Sequence, residues 1–368
     1  MVSQKGIPVM KKLSIYLLFG VAAVLSLSLA FLLPSFALTE DARARYDEML
    51  EEKWEEETEE AEEAEAARLT PRAVLASAGD SDVIVIDVDG EEPEEKEVVP
   101  LAIDLFTPGS APLLGHYTET GYHDASIDVE MEQYRMYDSD VFVARVSIAD
   151  PSQLRTAIAG TKMGASRTDK ITRMCENYNG IVAINGDYYT RSSLKSGYLV
   201  RMGKVYREKG SNDLDLLLID ENGDFHTCAH GRKAMEAWVK EFKASGHQIV
   251  NGLMFGPILV TGGEVSTTTI EDCTYYSPKQ PNPRAAIAQT GPLSYLMVVV
   301  NGRTSASEGV TLKEFAEILV ELGAQEAYNL DGGNSATLVF RGEVYNDKPQ
   351  DERSVPDIIY FASALEED

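Results

Sequence analysis

The hydrophobic pattern changes character three times along the chain. Leu13–Leu33 runs for 21 residues without a charge, behind Lys5, Lys11 and Lys12. That is long enough to cross a hydrocarbon layer as a helix, with the basic flank kept inside. Ser35-Phe36-Ala37 offers a small-x-small cleavage site, but the apolar run exceeds a signal core, so the length favours an uncleaved anchor. Residues 40–68 carry only a brief helical stripe (Tyr46, Met49, Leu50, Trp54), too short for a coiled coil and set in a self-repelling acidic spacer.

From Tyr122 the pattern becomes strand-length apolar runs separated by turn signals. Val141–Ile148 alternates like a half-buried strand, and Ile181–Ile184 reads as a buried one. Leu214–Ile219 and Asp224–Cys228 flank Glu221-Asn222-Gly223, a hairpin signal. Met254–Val260, Ala285–Ala288, Tyr295–Val300, Ala327–Leu330, Thr337–Phe340 and Ile358–Phe361 complete the expected strands. Helices are expected over Thr168–Asn177, Lys233–Ala244 and Thr311–Leu322; the last opens on a Thr311/Glu314 capping box and closes at Gly323. The helices are too few and too irregularly placed for a doubly wound parallel sheet. The pattern predicts an α+β fold with a mixed, mainly antiparallel sheet and a few packed helices. Three divisions follow: a signal anchor or signal peptide over 1–38, an acidic linker over 39–114, and a catalytic body over 115–368.

Charge sharpens this division. The 368 residues hold 33 Lys and Arg against 60 Asp and Glu, a formal net charge of −27. Residues 40–65 alone contain 14 acids and 3 bases. Such a balance argues against a nucleic-acid partner, which would need cations for its phosphates. Three cysteines (Cys175, Cys228, Cys273) are too few for a disulfide framework, so the fold must rest on its apolar core.

Four constellations could carry chemistry. Asn185-Gly186-Asp187-Tyr188-Tyr189 leaves a buried strand with a carboxylate beside a glycine. Asn329-Leu330-Asp331-Gly332-Gly333-Asn334-Ser335 repeats that design, and its glycine amides are suited to an anion nest. Asn282-Pro283-Arg284 sets an arginine at a strand head, apt for a bidentate grip on phosphate. Glu352-Arg353 lies near the C-terminus. Each alone is ordinary turn or surface chemistry. His226, Cys228 and His230 alternate and have zinc-like ligand types, but no fourth ligand is evident and structural roles are favoured. No Walker loop, zincin motif, nucleophile elbow or Rossmann fingerprint occurs.

The order of the motifs carries more information than any one of them. Asn185-Gly186-Asp187-Tyr188-Tyr189 is followed by Gly197-Tyr198, Arg201-Met202-Gly203-Lys204 and Phe255-Gly256-Pro257-Ile258-Leu259-Val260. Asn282-Pro283-Arg284-Ala285-Ala286-Ile287-Ala288, Asn301-Gly302-Arg303 and Thr311-Leu312 come next. Asn329 to Thr337 and Glu352-Arg353-Ser354-Val355 close the series. This series, from about Tyr122 to Ala362, resembles the phosphodiester glycosidase family, whose animal member is an N-acetylglucosamine-1-phosphodiester α-N-acetylglucosaminidase. The chain departs from the family pattern at Asn334, where a third glycine is common, at Ala285 or Ala286, where threonine is common, and at Asn301, where aspartate is common.

The resemblance implies hydrolysis of a sugar-1-phosphodiester at the anomeric carbon, with no metal or cofactor. Asp187 and Asp331 are then the expected carboxylate pair and Arg284 the expected phosphate clamp. Asn185, Gly186, Tyr188, Asn329, Gly332, Gly333, Asn334, Ser335, Arg303, Glu352 and Arg353 are the expected substrate-binding residues. With the N-terminal segment, this gives a single-pass cell-membrane protein whose catalytic domain faces outward, or a secreted one if the signal is cleaved, acting on a cell-envelope or extracellular glycopolymer. The rival readings are a metal-dependent phosphodiesterase built on His226, Cys228 and His230, and a non-catalytic glycan-binding protein.

Overall fold

A computed structural model describes residues 97–160, 167–188, 197–274, 277–348 and 350–365. The apolar Leu13–Leu33 run, the acidic spacer over 40–68 and Tyr189 lie outside the described residues. Among the described residues no helix is long and apolar enough to cross a membrane.

The described residues form three sheets whose strand pairs are all antiparallel, with four α-helices. The largest sheet has eight strands, in the order β1 (Gly121–His123), β2 (Ile127–Met136), β3 (Ser139–Ile148), β14 (Ser294–Val300), β13 (Arg284–Gly291), β15 (Glu326–Asn329), β11 (Ile258–Thr261) and β12 (Glu264–Val265). A five-stranded sheet runs β7 (Lys204–Lys209), β6 (Gly197–Arg201), β10 (Ile249–Leu253), β8 (Leu216–Asp220), β9 (Phe225–Cys228). The other runs β17 (Glu343–Val344), β16 (Leu338–Phe340), β5 (Gly180–Asn185), β18 (Asp357–Ala362), β4 (Leu154–Ile158).

Strand parity explains how these layers stack, because successive side chains face opposite sides. On β13, Ala285 and Ile287 join a core shared with Ile184 of β5, Leu217 of β8 and Ile359 of β18. Ala286 and Ala288 point the other way, onto Leu312, Phe315, Ile318 and Leu319 of helix α4 (Leu312–Glu321). The central strands β14 and β13 are thus buried on both faces, while alternate residues of the edge-side β2 face solvent. Helices α1 (Ile171–Asn177) and α2 (Arg232–Ala244) cover the outer faces of the two smaller sheets, while the short α3 (Thr267–Asp272) lies beside α4. The expected α+β class and largely antiparallel pairing are both found.

Local deviations have local causes. Helix α1 begins at Ile171, three residues later than expected, because Asp169 is held in a β-bridge with Val355. Its N-cap residue, Lys170, makes no side-chain cap bond; the Glu352 carboxylate reaches in instead, accepting from Thr172 N (2.9 Å) and Thr172 Oγ1 (2.8 Å). The expected strand from Met254 is shortened to Ile258–Thr261, because side chains, not a neighbouring strand, take the main-chain amides of Met254, Phe255 and Ile258. The last part of the expected linker is packed rather than loose. Leu105 is buried against Ile158, Met202 and Val250, and the buried Arg155 guanidinium donates to the carbonyls of Ala102, Asp104 and Thr107.

Helix α4 follows its sequence signal closely. Thr311 Oγ1 accepts from Glu314 N (3.2 Å), and the Glu314 carboxylate accepts from Thr311 N (2.8 Å). Removing the cap in Thr311→Ala exposes orphan amides at a helix that covers the large sheet. Urea denaturation is expected to show a loss of about 1 kcal/mol.

Candidate active site

The two glycine turns singled out in the sequence meet where β5 and β15 end. Asn185 Nδ2 donates to Asp331 O (2.8 Å), Asp331 N donates to Gly186 O (3.4 Å), and Asn185 Oδ1 accepts from Thr337 N (3.3 Å). Asn185 is completely buried and works as the fastener between the turns. Gly186 is required beside it, because a Cβ there would lie 2.4 Å from Asp357 Oδ1.

Asp187 is buried and both of its oxygens are engaged. Oδ1 accepts from Arg201 Nη2 (2.5 Å) and Oδ2 from Met254 N (2.8 Å). Arg201 also donates from Nε to Asp357 Oδ2 (2.8 Å), and from Nη1 to Gly252 O (2.6 Å) and Val200 O (3.0 Å). One buried guanidinium therefore lies between two buried carboxylates. Burial pushes the Asp357 carboxyl well above its usual range; Arg201 opposes this and the Asp187 charge adds to it. Asp357 Oδ1 is buried with no hydrogen-bond partner among the described residues.

Asp331 is only half-buried and borders the second turn. The turn continues into Gly333 and Asn334, which line a solvent-open hollow together with Asn301, Arg303, Lys348 and neighbouring residues. Two cations, Arg303 and Lys348, line it, and a third, Arg353, lies near the same turn. Arg303 donates from Nε and Nη2 to Asn282 Oδ1 and lies 3.5 Å from Asn334 Oδ1. Lys348 Nζ donates to Asn334 O (2.8 Å) and Thr337 Oγ1 (2.9 Å). Arg353 Nη1 is 3.5 Å from Ser335 Oγ. Burial lowers the Lys348 pKa to about 8; Glu352 works against that shift, while Lys170 and Arg353 reinforce it.

Other expected site residues occupy scaffold positions. Arg284 has the parity of Ala286, so its side chain lies on the helix-bearing face of the sheet. There Nε donates to Val310 O and Nη2 to Ser277 O and Gln280 O, all at 3.0 Å. It binds main-chain carbonyls where the sequence suggested a phosphate clamp, and burial lowers its pKa to about 10. Asn329 is buried and donates to Gly256 O. Gly333 N is given to Pro283 O, so it does not contribute to the expected anion nest. Glu352 caps α1 instead of facing the hollow. Gly332 packs so tightly that a Cβ would sit 2.8 Å from Pro283 O. Tyr188 is half-buried against the inter-sheet core, and Ser335 is buried.

Two contributors were not anticipated. Lys348 lies in Asn-Asp-Lys-Pro-Gln, which reads only as a turn. Asn346 donates to Asn301 Oδ1 (3.0 Å) and Ala336 O and accepts from Leu338 N, which fixes the Lys348 segment. Asn301, where the family pattern commonly has aspartate, also donates to Asp347 O and so holds the same segment. The suggested metal set does not gather: His230 pairs with Asp215 (2.9 Å) and His226 with Asp220 (3.0 Å).

A half-open carboxylate beside a cation-rimmed hollow, held by two glycine turns on antiparallel sheets, is the equipment of a glycosidase-type hydrolase. The family model described as phosphodiester glycosidase matches residues 178–362, half of the chain, and the protein belongs to that family. The catalytic domain of zebrafish N-acetylglucosamine-1-phosphodiester alpha-N-acetylglucosaminidase, auto-inhibited by its pro-peptide, has a similar fold. The TM-score is 0.52 at 17% identity, over 74% of this chain and all of that one. The SPbeta prophage-derived uncharacterized protein YomE of Bacillus subtilis (strain 168) is 22% identical over 200 residues, 53% of this chain and 30% of that protein. The chain therefore spans less than a third of that relative's length.

The raised Asp357 pKa has a definite sign. A carboxyl whose pKa is higher folded than unfolded contributes fully below the unfolded value, and that contribution is lost as pH rises through the folded one. Wild-type stability in urea should therefore decline from the ordinary carboxylate value of 3.8 toward neutrality. Asp357→Asn should flatten that decline; an identical slope in both proteins would contradict the assignment.

Proposed function

We propose that the protein hydrolyses the glycosidic C–O bond of a sugar-1-phosphodiester, with Asp331 as the reacting carboxylate. The observation that carries this reading is the position of Asp331, partly buried on the turn whose Gly333 and Asn334 line the hollow together with Arg303 and Lys348. Breaking C1–O places positive charge on the sugar and sends the bonding electrons onto a phosphate oxygen. A phosphate leaves readily, so cations that stabilise its charge matter more than a strong acid. In this reading Asp331 takes a proton from the attacking water as the water oxygen bonds to C1. Arg303 and Lys348 receive the departing phosphomonoester, and Asn334 offers its amide to phosphate or sugar. Asp187 acts as a positioning residue, because Arg201 and Met254 N occupy its carboxylate. Arg284 holds the loop on which the site rests.

The finer setting is part of the proposal. The basic residues before the apolar Leu13–Leu33 run support an exported, membrane-tethered protein with its catalytic domain outside. The substrate would then be a sugar phosphodiester within a cell-envelope or extracellular glycopolymer.

Two measurements test the chemistry. With a panel of sugar-1-phosphodiesters in ¹⁸O-water, label should enter the sugar, and Asp331→Asn should lower kcat by about 10²–10⁴-fold while circular dichroism is unchanged. Label in the phosphate would reject C–O cleavage. The lowered Lys348 pKa makes a second prediction: KM should rise as pH passes about 8, where the ammonium loses its charge. Lys348→Arg, charged throughout, should remove that rise.

A further inference from the structure

A second polar cluster lies away from Asp331, at the opposite end of β8 and β10 from Asp187. Asp220 ends β8, His226 sits on β9, and His247 lies in the turn between α2 and β10. His226 Nε2 and His247 Nδ1 approach the same oxygen, Asp220 Oδ2, at 3.0 and 3.1 Å. The other oxygen, Oδ1, already accepts from Asn222 N (2.9 Å) and Asp224 N (3.0 Å). All three ligand atoms lie within 4.8 Å of one another.

A single observation separates this cluster from an ordinary carboxylate with two imidazole donors. His247 Nδ1 is buried and makes no hydrogen bond among the described residues, although Oδ2 is only 3.1 Å away. Its approach is close but misdirected for N–H donation. An ion about 2.0–2.1 Å from nitrogen and oxygen ligands, in tetrahedral geometry, needs them roughly 3.3 Å apart. The two nitrogen–oxygen separations need only a few tenths of an ångström of adjustment.

The surroundings hold this arrangement in place. Phe242 stacks on the His247 ring (centroids 4.9 Å, 17°) and meets the His226 ring edge-on (4.8 Å, 61°). Gln248 N donates to Glu221 Oε2 (2.7 Å), tying the His247 turn to the β8–β9 hairpin. Asp220 is almost wholly buried, while the two histidine side chains are 30% and 37% exposed. An ion could therefore enter from solvent and keep a water as its fourth ligand.

We propose that Asp220, His226 and His247 form a binding site for a divalent transition cation of the zinc class, which clips the β8–β9 hairpin to the α2–β10 turn. Two imidazoles and one carboxylate suit such ions better than calcium or magnesium, which take mainly oxygen. The site is structural and independent of the glycosidase reading, so each can fail alone.

The test uses the full chain, stripped with chelator and titrated with Zn²⁺ by calorimetry, with Co²⁺ as a visible-absorption probe. One equivalent of Zn²⁺ should bind and raise the unfolding temperature, and Co²⁺ should give the intense bands of a four-coordinate ion. His247→Gln should weaken Zn²⁺ binding at least tenfold and abolish those bands. His226→Gln serves the same purpose should the first variant not fold. His123→Gln, in the more exposed His123–Asp128–Glu130 group, should leave both readouts unchanged. Absence of stoichiometric Zn²⁺ binding, or wild-type binding by the folded variants, would overturn the proposal and leave the imidazoles as partners of Asp220 alone.

Discussion

The buried Arg201 guanidinium is the contact on which the rest of the described structure depends. It comes from β6 in one five-stranded sheet and grips Asp187 and Asp357 at the ends of β5 and β18 in the other. Two carboxylates and one guanidinium out of water are costly unless their geometry is good and their remaining groups are satisfied. Here Met254 N, Gly252 O and Val200 O supply much of that satisfaction. The same contacts orient the Gly186 turn, and through Asn185 the Asp331 turn. The ion triad, the glycine clearance and the candidate reacting carboxylate thus form one mechanical unit.

A second group of contacts serves the same region. The chain through Phe255-Gly256-Pro257 lacks a continuous strand partner, so its polar groups are met by buried side chains. Tyr328 OH accepts from Phe255 N (2.8 Å), Asp215 Oδ2 from Ile258 N (2.9 Å), and Gly256 O from Asn329 Nδ2 (2.8 Å). Asn329 therefore works like Asn185, as an internal fastener under a turn. In both turns the first residues, Asn185 and Asn329, are buried and structural, whereas Asp331 to Asn334 are only partly buried.

Much of this architecture was legible in residue order. The Thr311/Glu314 box, the Glu221-Asn222-Gly223 hairpin and the alternating runs are local signals, so neighbours within a few residues decided them. The site was legible as two turns but not as roles. Asp187 and Asp331 look equivalent in sequence, and what distinguishes them is Arg201, whose other partner, Asp357, is 156 residues away from it. Arg284 reads locally as a clamp, but counting from Ala286 and Ala288 places it on the helix-bearing face, where it donates to Val310 O. Alternation along one strand grouped His226 with Cys228 and His230, and it could not reveal that the turn carrying His247 shares the Asp220 carboxylate with His226.

The Arg155 cradle has a practical consequence for anyone dividing the protein. Three acceptors of this wholly buried guanidinium belong to Ala102, Asp104 and Thr107, upstream of where the catalytic body seemed to begin. A fragment begun at residue 115 would strip those carbonyls away and strand a permanent positive charge in an apolar interior. Cloning boundaries drawn from hydrophobic pattern alone would therefore remove a piece of the folding unit itself.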